Sequence, residues 1–132
     1  MKPINYIDLG YAEIFIFQDY LINQIKDGVT VSMEHVRVLR DIIEDNFEGR
    51  NLVYISNRVG SYSVDPLVYP QVTLIDNLLG MAIITDNVLH EKSVQFEQLF
   101  YKRELKVFKT FEDSIAWAAG LVRKAKEAAR LE

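Results

Sequence analysis

The sequence predicts an α/β fold: a mixed, mainly parallel sheet of five or six strands with four helices and a leading antiparallel hairpin. Three observations carry this prediction. Two apolar runs without polar alternation, 52–56 and 80–85, are typical of strands buried on both faces. Segments with helical spacing of apolar residues alternate with these strands, which favours a parallel sheet with right-handed crossovers. Near the N-terminus, two β-rich runs separated by Gln18-Asp19 predict a tight hairpin.

The chain begins with three predicted strands: a short, partly apolar one at 5–9 and the hairpin strands at 12–17 and 20–25. A helix follows from about Met33 to Phe47, because apolar residues there recur at the three- and four-residue spacing of one buried face. Gly49, directly after this helix, is the expected left-handed terminator. Three strands and a helix therefore precede the first central strand.

The segment after the first central strand is polar and ends at a helix start. Asp65 is a good N-cap, and Pro66 fits the first helical position. Pro70 lacks a backbone N–H and would crowd the carbonyl of Pro66, so we expect a single turn at 66–69 and then a helix from about Pro70. The expected buried stripe of this helix is Val68, Val72, Ile75 and Leu79.

In the last third of the chain, the sequence predicts a helix, then a short edge strand, and then a second helix. The first helix covers about 86–101, and its residues expected to face inward are Phe96, Leu99 and Phe100. The charged Lys106 among the apolar residues of the strand at 105–108 indicates an edge position. The final helix covers about 111–129 and begins with a capping sequence.

Composition predicts a cytoplasmic protein with one domain, 1–132. The formal net charge of −4 disfavours binding to nucleic acids, because their phosphate backbones are also negative. The sequence has no cysteine, which excludes disulfides and cysteine nucleophiles and suits a reducing compartment. The longest apolar run, 78–84, is too short to span a membrane, and the first residues carry no apolar signal core. The final Leu131-Glu132 is compatible with a cloning remnant.

The residue pattern does not indicate an enzyme or a metal site. His35 and His90 each have one acidic neighbour in sequence, whereas a metal needs several converging donors, and we expect both at the surface. The pair Gly60-Ser61 lacks the second glycine of a nucleophile elbow, and one glycine cannot form a Walker-type phosphate loop. The carboxylates are scattered, so no acid/base pair can be chosen. We therefore expect no catalytic activity, no metal and no cofactor.

Several phrases of the sequence resemble a known family. They are Phe96-Glu-Gln-Leu-Phe100, Lys106-Val-Phe108, Thr110-Phe-Glu-Asp-Ser-Ile-Ala-Trp117 and the stretch from Ile55 to Pro66. Together with the order of elements, they resemble the SpoIIAA-like, or STAS, family of anti-sigma-factor antagonists, and within it the small bacterial STAS/SEC14-like proteins. The resemblance implies a SpoIIAA-like fold and a regulatory or binding function.

The resemblance also implies a place for regulation. In the family, an aspartate after the corresponding strand is followed by a serine that is phosphorylated. Asp65 matches that aspartate, but Pro66 stands at the serine position and cannot be phosphorylated. The usual switch is therefore absent unless Ser61 or Ser63 replaces it.

The polar segment 56–65 is the predicted functional surface. It follows the carboxyl end of a predicted parallel strand, where ligands of open α/β sheets bind. It is longer than a simple connection, which takes about 2–6 residues. Arg58 is its only cation and precedes a helix N-terminus, which favours an anionic ligand group. The candidate binding residues are Ser56, Asn57, Arg58, Ser61, Ser63 and Asp65.

Two functions remain open from the sequence. The first is a non-enzymatic module that binds a protein partner or a small anionic ligand through the 56–65 segment. The second, implied by the SEC14-like resemblance, is a carrier of an apolar, lipid-like molecule. As structural alternatives, Asp65 is a plain N-cap, and Asn57 and Arg58 stabilise the segment through hydrogen bonds.

The sequence of the final helix predicts a self-association contact. At 100° per residue, Trp117 and Leu121 lie together at the flank of the buried stripe. Exposed large apolar residues often mark interfaces, so we expect a homodimer contact at this flank. Packing of Trp117 against a neighbouring helix is the alternative.

Overall fold

The computed structural model describes residues 2–58 and 62–131. These residues form a six-stranded mixed sheet in the order β1-β2-β3-β5-β7-β8, and a second, two-stranded sheet of β4 and β6. The strands are β1 (Asn5–Asp8), β2 (Ala12–Ile16), β3 (Tyr20–Ile25), β4 (Thr30–Val31), β5 (Leu52–Asn57), β6 (Ser63–Val64), β7 (Leu78–Ile84) and β8 (Glu104–Phe108). The first three are antiparallel, and β3, β5, β7 and β8 are parallel. The predicted fold class is confirmed.

The described part of the chain contains four α-helices and one 3₁₀ turn, which are α1 (Met33–Phe47), the turn Pro66–Val68, α2 (Tyr69–Val72), α3 (Val88–Glu97) and α4 (Phe111–Arg130). None of these helices is long and apolar enough to cross a membrane.

The two central strands are buried as their sequences predict. Every residue of β5 from Leu52 to Ser56 is buried, and so is all of β7 except Leu79. Because neighbouring strands and helices cover both faces of these strands, their apolar runs need no polar alternation. The predicted strand ends agree with the structure within one or two residues.

The helices divide between the two faces of the main sheet. On one face, residues of α1, α2 and α3 pack with strand residues such as Ile14, Tyr54 and Met81 into one apolar cluster. On the other face, Ala118 and Val122 of α4 pack with alternate strand residues. We call these the α1–α3 face and the α4 face.

Helix α1 matches its predicted bounds because its ends carry clear signals. At its start, the Ser32 backbone N–H donates to Nδ1 of His35 at 2.9 Å. At its end, the chain leaves through two left-handed residues, Glu48 with φ of 48° and Gly49 with φ of 85°. Gly49 favours this conformation because it has no Cβ.

The helix expected from Pro70 is shorter than predicted. A 3₁₀ turn does occupy 66–68, but α2 ends at Val72, and Leu79 lies in β7 rather than on a helix. Ile75 is buried, but it lies in the turn before β7. The apolar run that begins at Leu78 joins the sheet and leaves too little chain for a longer helix.

The inward face predicted for α3 is wrong. Phe96 and Leu99 are 55% and 72% exposed, while Phe100 packs partly against the core. The helix instead buries Val94 and Glu97. Apolar residues occur all around this helix, so their spacing does not define a single buried face, and the buried Glu97 has a polar partner described below.

Candidate functional site

The predicted binding segment begins where β5 ends, at the carboxyl edge of the parallel strands. Ser56 and Asn57 are the last two residues of β5. The backbone N–H of Arg58 donates to the Ile84 carbonyl at 3.0 Å and so continues the pairing with β7. Gly60 and Ser61 lie outside the described residues. The segment therefore occupies the place in the fold that the sequence predicts.

The second half of the segment is held by backbone pairing rather than being a free loop. Ser63 and Val64 form β6, which pairs with β4 just before α1. The Ser63 N–H donates to the Val29 carbonyl at 3.0 Å. The Ser63 hydroxyl also lies 3.0 Å from Oγ1 of Thr30. Strands of two residues carry no recognisable sequence signal, which is why this pairing was not predicted.

Asp65 has the capping role that its sequence position predicts. Its Oδ1 accepts a hydrogen bond from the Leu67 backbone N–H at 3.1 Å, and its side chain is exposed. At the end of β5, Nδ2 of Asn57 donates to Oε1 of Gln24 at 3.3 Å. These contacts support the structural alternatives for both residues and leave their roles in binding as predictions.

The Arg58 side chain is buried and bonded, which supports the alternative that it stabilises the segment through hydrogen bonds. This side chain is 6% exposed, and Nη2 lies 2.9 Å from Oε1 of Glu97, which is 7% exposed. Its Nε donates to the Tyr62 hydroxyl at 2.9 Å. Burial alone disfavours the charge, but neighbouring Tyr62 and Glu97 raise the pKa of Arg58 above its ordinary value, so the guanidinium stays charged.

Two further hydroxyls extend this buried polar network, in which Oε2 of Glu97 has no partner among the described residues. The Tyr69 hydroxyl donates to Oε1 of Glu97 at 2.8 Å, and burial together with that carboxylate raises the pKa of Tyr69. The Ser56 and Tyr62 hydroxyls are 2.6 Å apart. The network joins β5, the segment before β6, α2 and α3, and it fixes the inner side of the predicted binding segment.

A cavity of about 60 Å³ lies next to this network on the α1–α3 face. Most of its wall is apolar and comes from the carboxyl halves of the strands and from α1 and α2. Its wall includes Ile25, Val36, Val64 and Ile83. Because Ser56, Arg58 and Tyr62 also contribute to the wall, the predicted binding segment forms one side of the cavity.

A buried amide and a buried phenol meet in the same cavity. Asn23 and Tyr54 are each 7% exposed, and Nδ2 of Asn23 donates to the Tyr54 hydroxyl at 2.9 Å. Within the described residues, Oδ1 of Asn23 has no hydrogen-bond partner. Burial raises the pKa of Tyr54, which keeps its hydroxyl protonated. A buried acceptor without a partner is costly and requires an explanation.

The two histidines lie in different surroundings. His35 lies at the cavity wall with its ring 4.4 Å from that of Tyr11, and Nδ1 of His90 lies 3.0 Å from the Thr85 hydroxyl. Both are half-buried rather than fully at the surface as expected. Across 2–58 and 62–131, no group of three or more His, Asp and Glu side chains could hold a metal ion.

Trp117 and Leu121 are half-buried at the edge of the α4 face. The Trp117 ring packs against that of Phe108 in β8, with centroids 5.4 Å apart. Trp117 therefore packs within the domain, but against the edge strand β8 rather than the neighbouring helix that the alternative named. Self-association through this flank stays a prediction; sedimentation showing a monomer at high concentration, or an unchanged dimer in Trp117→Ala, would contradict it.

Sequence reasoning missed five residues of the site. They are Asn23, Tyr54, Tyr62, Tyr69 and Glu97. None of the five had a usable signal: apolar residues occur all around α3, so its spacing does not mark Glu97 as a buried position. The tyrosines and Asn23 fit ordinary strand and turn positions, and only the folded sheet brings them together.

Comparisons with known proteins bear on the fold alone. No family model and no curated protein sequence matches the chain. Its structure is similar to that of an uncharacterized protein of the DUF3478 family from Shewanella loihica PV-4, described as having a SpoIIAA-like fold. The TM-score is 0.56 and the identity 18%, over 81% of this chain and 91% of the other. The predicted SpoIIAA-like fold is therefore confirmed.

Proposed function

We propose that this SpoIIAA-like domain is a non-enzymatic binding module that takes up a small, mainly apolar molecule in the cavity on the α1–α3 face. The observation that carries the proposal is the buried Oδ1 of Asn23, which has no partner among the described residues although the surrounding cavity is lined mainly by apolar side chains. Apolar pockets with a few well-placed polar groups are the usual form of small-molecule sites.

The size of the cavity limits what it holds. Each water-sized group needs about 10–15 Å³ of cavity volume. A cavity of about 60 Å³ therefore holds roughly five non-hydrogen atoms. A lipid chain is larger. The lipid-carrier alternative would therefore require the segment around Tyr62 and Val64 to move away from the sheet.

The buried Arg58–Glu97 ion pair disfavours an anionic ligand. The charge of Arg58 is already balanced by Glu97, and both side chains are almost fully buried. A second negative group beside this pair would have to be taken out of water without a free cation to compensate it. The proposed ligand is therefore not the small anion that the sequence predicts. The module acts without the family's phosphoserine, because Pro66 holds that position.

Native mass spectrometry of freshly purified protein tests the proposal. We expect a small co-purifying mass that is lost when the protein unfolds. Val36→Leu places an extra methylene group at the cavity wall and should reduce its occupancy, whereas Val122→Leu makes the same change on the α4 face and should not. The absence of any bound mass, or equal occupancy in all three proteins, would contradict the proposal.

Recognition of a protein partner is a second candidate. Its support is the outer side of the same region, where Asp65 is exposed and Leu67 is 71% exposed. A partner that docks there should be captured by the wild-type protein and lost with Leu67→Ser. Leu74→Ser is the matched control, because Leu74 is also exposed, at 60%, but lies outside this segment. Equal capture by both variants would exclude this surface.

A further inference from the structure

We infer that the ligand of the α1–α3 face carries a neutral group that both donates and accepts a hydrogen bond, and that Asn23 and Tyr54 hold this group. This rests on the proposed function, that the cavity binds a small molecule. It adds the chemical class of the ligand and the residues that select it. Hydroxyl, carboxamide and pyrazole-type groups belong to this class.

Among the described residues that line the cavity, Asn23 is the one with a buried side-chain polar atom that has no hydrogen-bond partner. The hydroxyls of Ser56, Tyr62 and Tyr69, and Nε and Nη2 of Arg58, bond to one another or to Glu97. By contrast, the Tyr54 hydroxyl accepts from Nδ2 of Asn23, so its own proton is free to be donated. Oδ1 of Asn23 has no partner within the described residues and is free to accept. The pair therefore presents one donor and one acceptor.

Both orientations of the Asn23 amide give the same pair. If the amide is turned over, Tyr54 donates to Oδ1, and the amide nitrogen becomes the free donor while the phenol oxygen becomes the free acceptor. The two groups are joined by a hydrogen bond of 2.9 Å, so the free donor and acceptor lie side by side. A ligand satisfies both with one hydroxyl or with adjacent donor and acceptor atoms.

Burial determines that the recognised group is neutral. Asn23 and Tyr54 are each 7% exposed, and apolar residues including Ile25 and Met81 line the same cavity. A charged group there would lose its hydration, and the nearby guanidinium of Arg58 is already bonded to Glu97. A neutral polar group can instead regain both of its hydrogen bonds from Asn23 and Tyr54.

The test uses three probes of similar size in titrations followed by NMR. Pyrazole has an adjacent donor and acceptor, thiophene is an apolar ring of the same shape, and propionate carries a negative charge. The variant Asn23→Val/Tyr54→Phe removes both polar groups at once and leaves neither of them buried without a partner. Tyr101→Phe is the matched control, because it also removes a buried hydroxyl but lies outside the cavity wall.

We expect the affinity for pyrazole relative to thiophene to fall at least about tenfold in the double variant, which corresponds to the loss of one or two hydrogen bonds. Tyr101→Phe should leave this ratio unchanged. The ratio cancels differences in probe hydration and in overall stability. If the double variant proves difficult to fold, the single variant Asn23→Val replaces it. This variant should give a ratio of pyrazole to thiophene affinity between those of the wild type and the double variant.

The outcomes separate the ligand class from the binding function. If pyrazole and thiophene both bind in the cavity but their ratio is the same in all variants, the polar pair does not select the ligand and the inference fails. Tighter binding of propionate than of pyrazole overturns its neutral character. If no probe binds in the cavity of the wild-type protein, the proposed function itself fails.

Discussion

The two faces of the main sheet are built from the same strands but differ in their packing and in their polar residues. On the α4 face, small and β-branched residues such as Ala82 and Ile55 pack directly against the helix, and the helix approaches the sheet closely at Gly80. On the α1–α3 face, the same strands present Asn23, Tyr54 and Ser56, and a cavity lies between them and the helices. Adjacent strand residues point to opposite faces, so one strand supplies both surfaces.

The elements that cover the two faces also differ. The α4 face is covered by one continuous amphipathic helix whose apolar stripe follows the helical repeat. The α1–α3 face is covered by shorter elements, among them a single-turn α2, and polar side chains connect them.

The largest expected effect comes from breaking the buried ion pair of the α1–α3 face. Arg58→Ala leaves Glu97 buried without its cation, so we expect unfolding free energy to fall by about 3–5 kcal/mol. If Arg58 were on the surface, the same substitution would leave the unfolding free energy almost unchanged. Urea denaturation measures it. Arg37→Ala is the control: its pair with Glu34 is exposed, so a change of less than about 1 kcal/mol is expected.

Equal effects of Arg58→Ala and Arg37→Ala would mean that the Arg58–Glu97 pair is solvated in solution. The variant Arg58→Met/Glu97→Leu sharpens the test. Replacing both members of a buried ion pair by apolar residues is often close to neutral, so much of the loss should be recovered.

The next effect probes the packing of the α4 face. A Cβ on Gly80 would lie 3.1 Å from the carbonyl oxygen of Glu104 and 3.2 Å from Cδ1 of Leu121. The carbonyl belongs to the neighbouring strand and cannot move without disturbing the sheet. We therefore expect Gly80→Ala to cost about 1–3 kcal/mol by overpacking. Val36→Leu, at the cavity wall, should cost less than about 1 kcal/mol, and the reverse order would contradict the contrast between the faces.

The fold was largely predictable because its signals are local. The apolar runs of β5 and β7, the spacing in α1 and the turn residue Gly49 each specify an element without reference to the rest of the chain. Helix α3 shows where this fails. Its apolar residues surround the helix, and its buried Glu97 is stabilised by Arg58, 39 residues away in sequence, and by Tyr69.

The candidate site was predictable in place but not in composition. The rule that ligands bind at the carboxyl edge of parallel strands located the 56–65 segment. Whether Arg58 faces solvent or the core depends on a partner in α3, and whether Asn23 lines a cavity depends on how α1 packs. Neither can be obtained from spacing, because both are contacts between residues far apart in sequence.

A further pair of variants compares two buried tyrosine hydroxyls whose rings are 6.0 Å apart. The Tyr101 hydroxyl has no partner within 2–58 and 62–131, whereas the Tyr69 hydroxyl donates to Glu97. Tyr101→Phe should therefore raise unfolding free energy by about 1 kcal/mol, and Tyr69→Phe should lower it by about 1.5–3 kcal/mol. Thermal and urea denaturation check both signs. A loss of stability in Tyr101→Phe would show that its hydroxyl is bonded.

Tyr101 also makes the stability of the protein depend on pH. Burial raises the pKa of Tyr101 from 10.0 to about 12. The folded state therefore keeps the proton that the unfolded state loses above pH 10, so this contribution is present below pH 10 and disappears as pH rises to about 12. Urea denaturation at pH 9 and 11 should show a smaller decrease in Tyr101→Phe than in the wild type. Equal decreases would contradict burial of this phenol.

Methyl-resolved NMR of the wild-type protein with saturating pyrazole, and then thiophene, tests the central claim most directly. If the α1–α3 face holds the binding cavity, the largest shift changes should lie at Ile14, Ile25, Val36 and Ile83, which line it. The methyl groups of Val53, Ile55 and Val122 on the α4 face should change little. Largest changes on the α4 face, or no change at the cavity residues at saturation, would contradict the account.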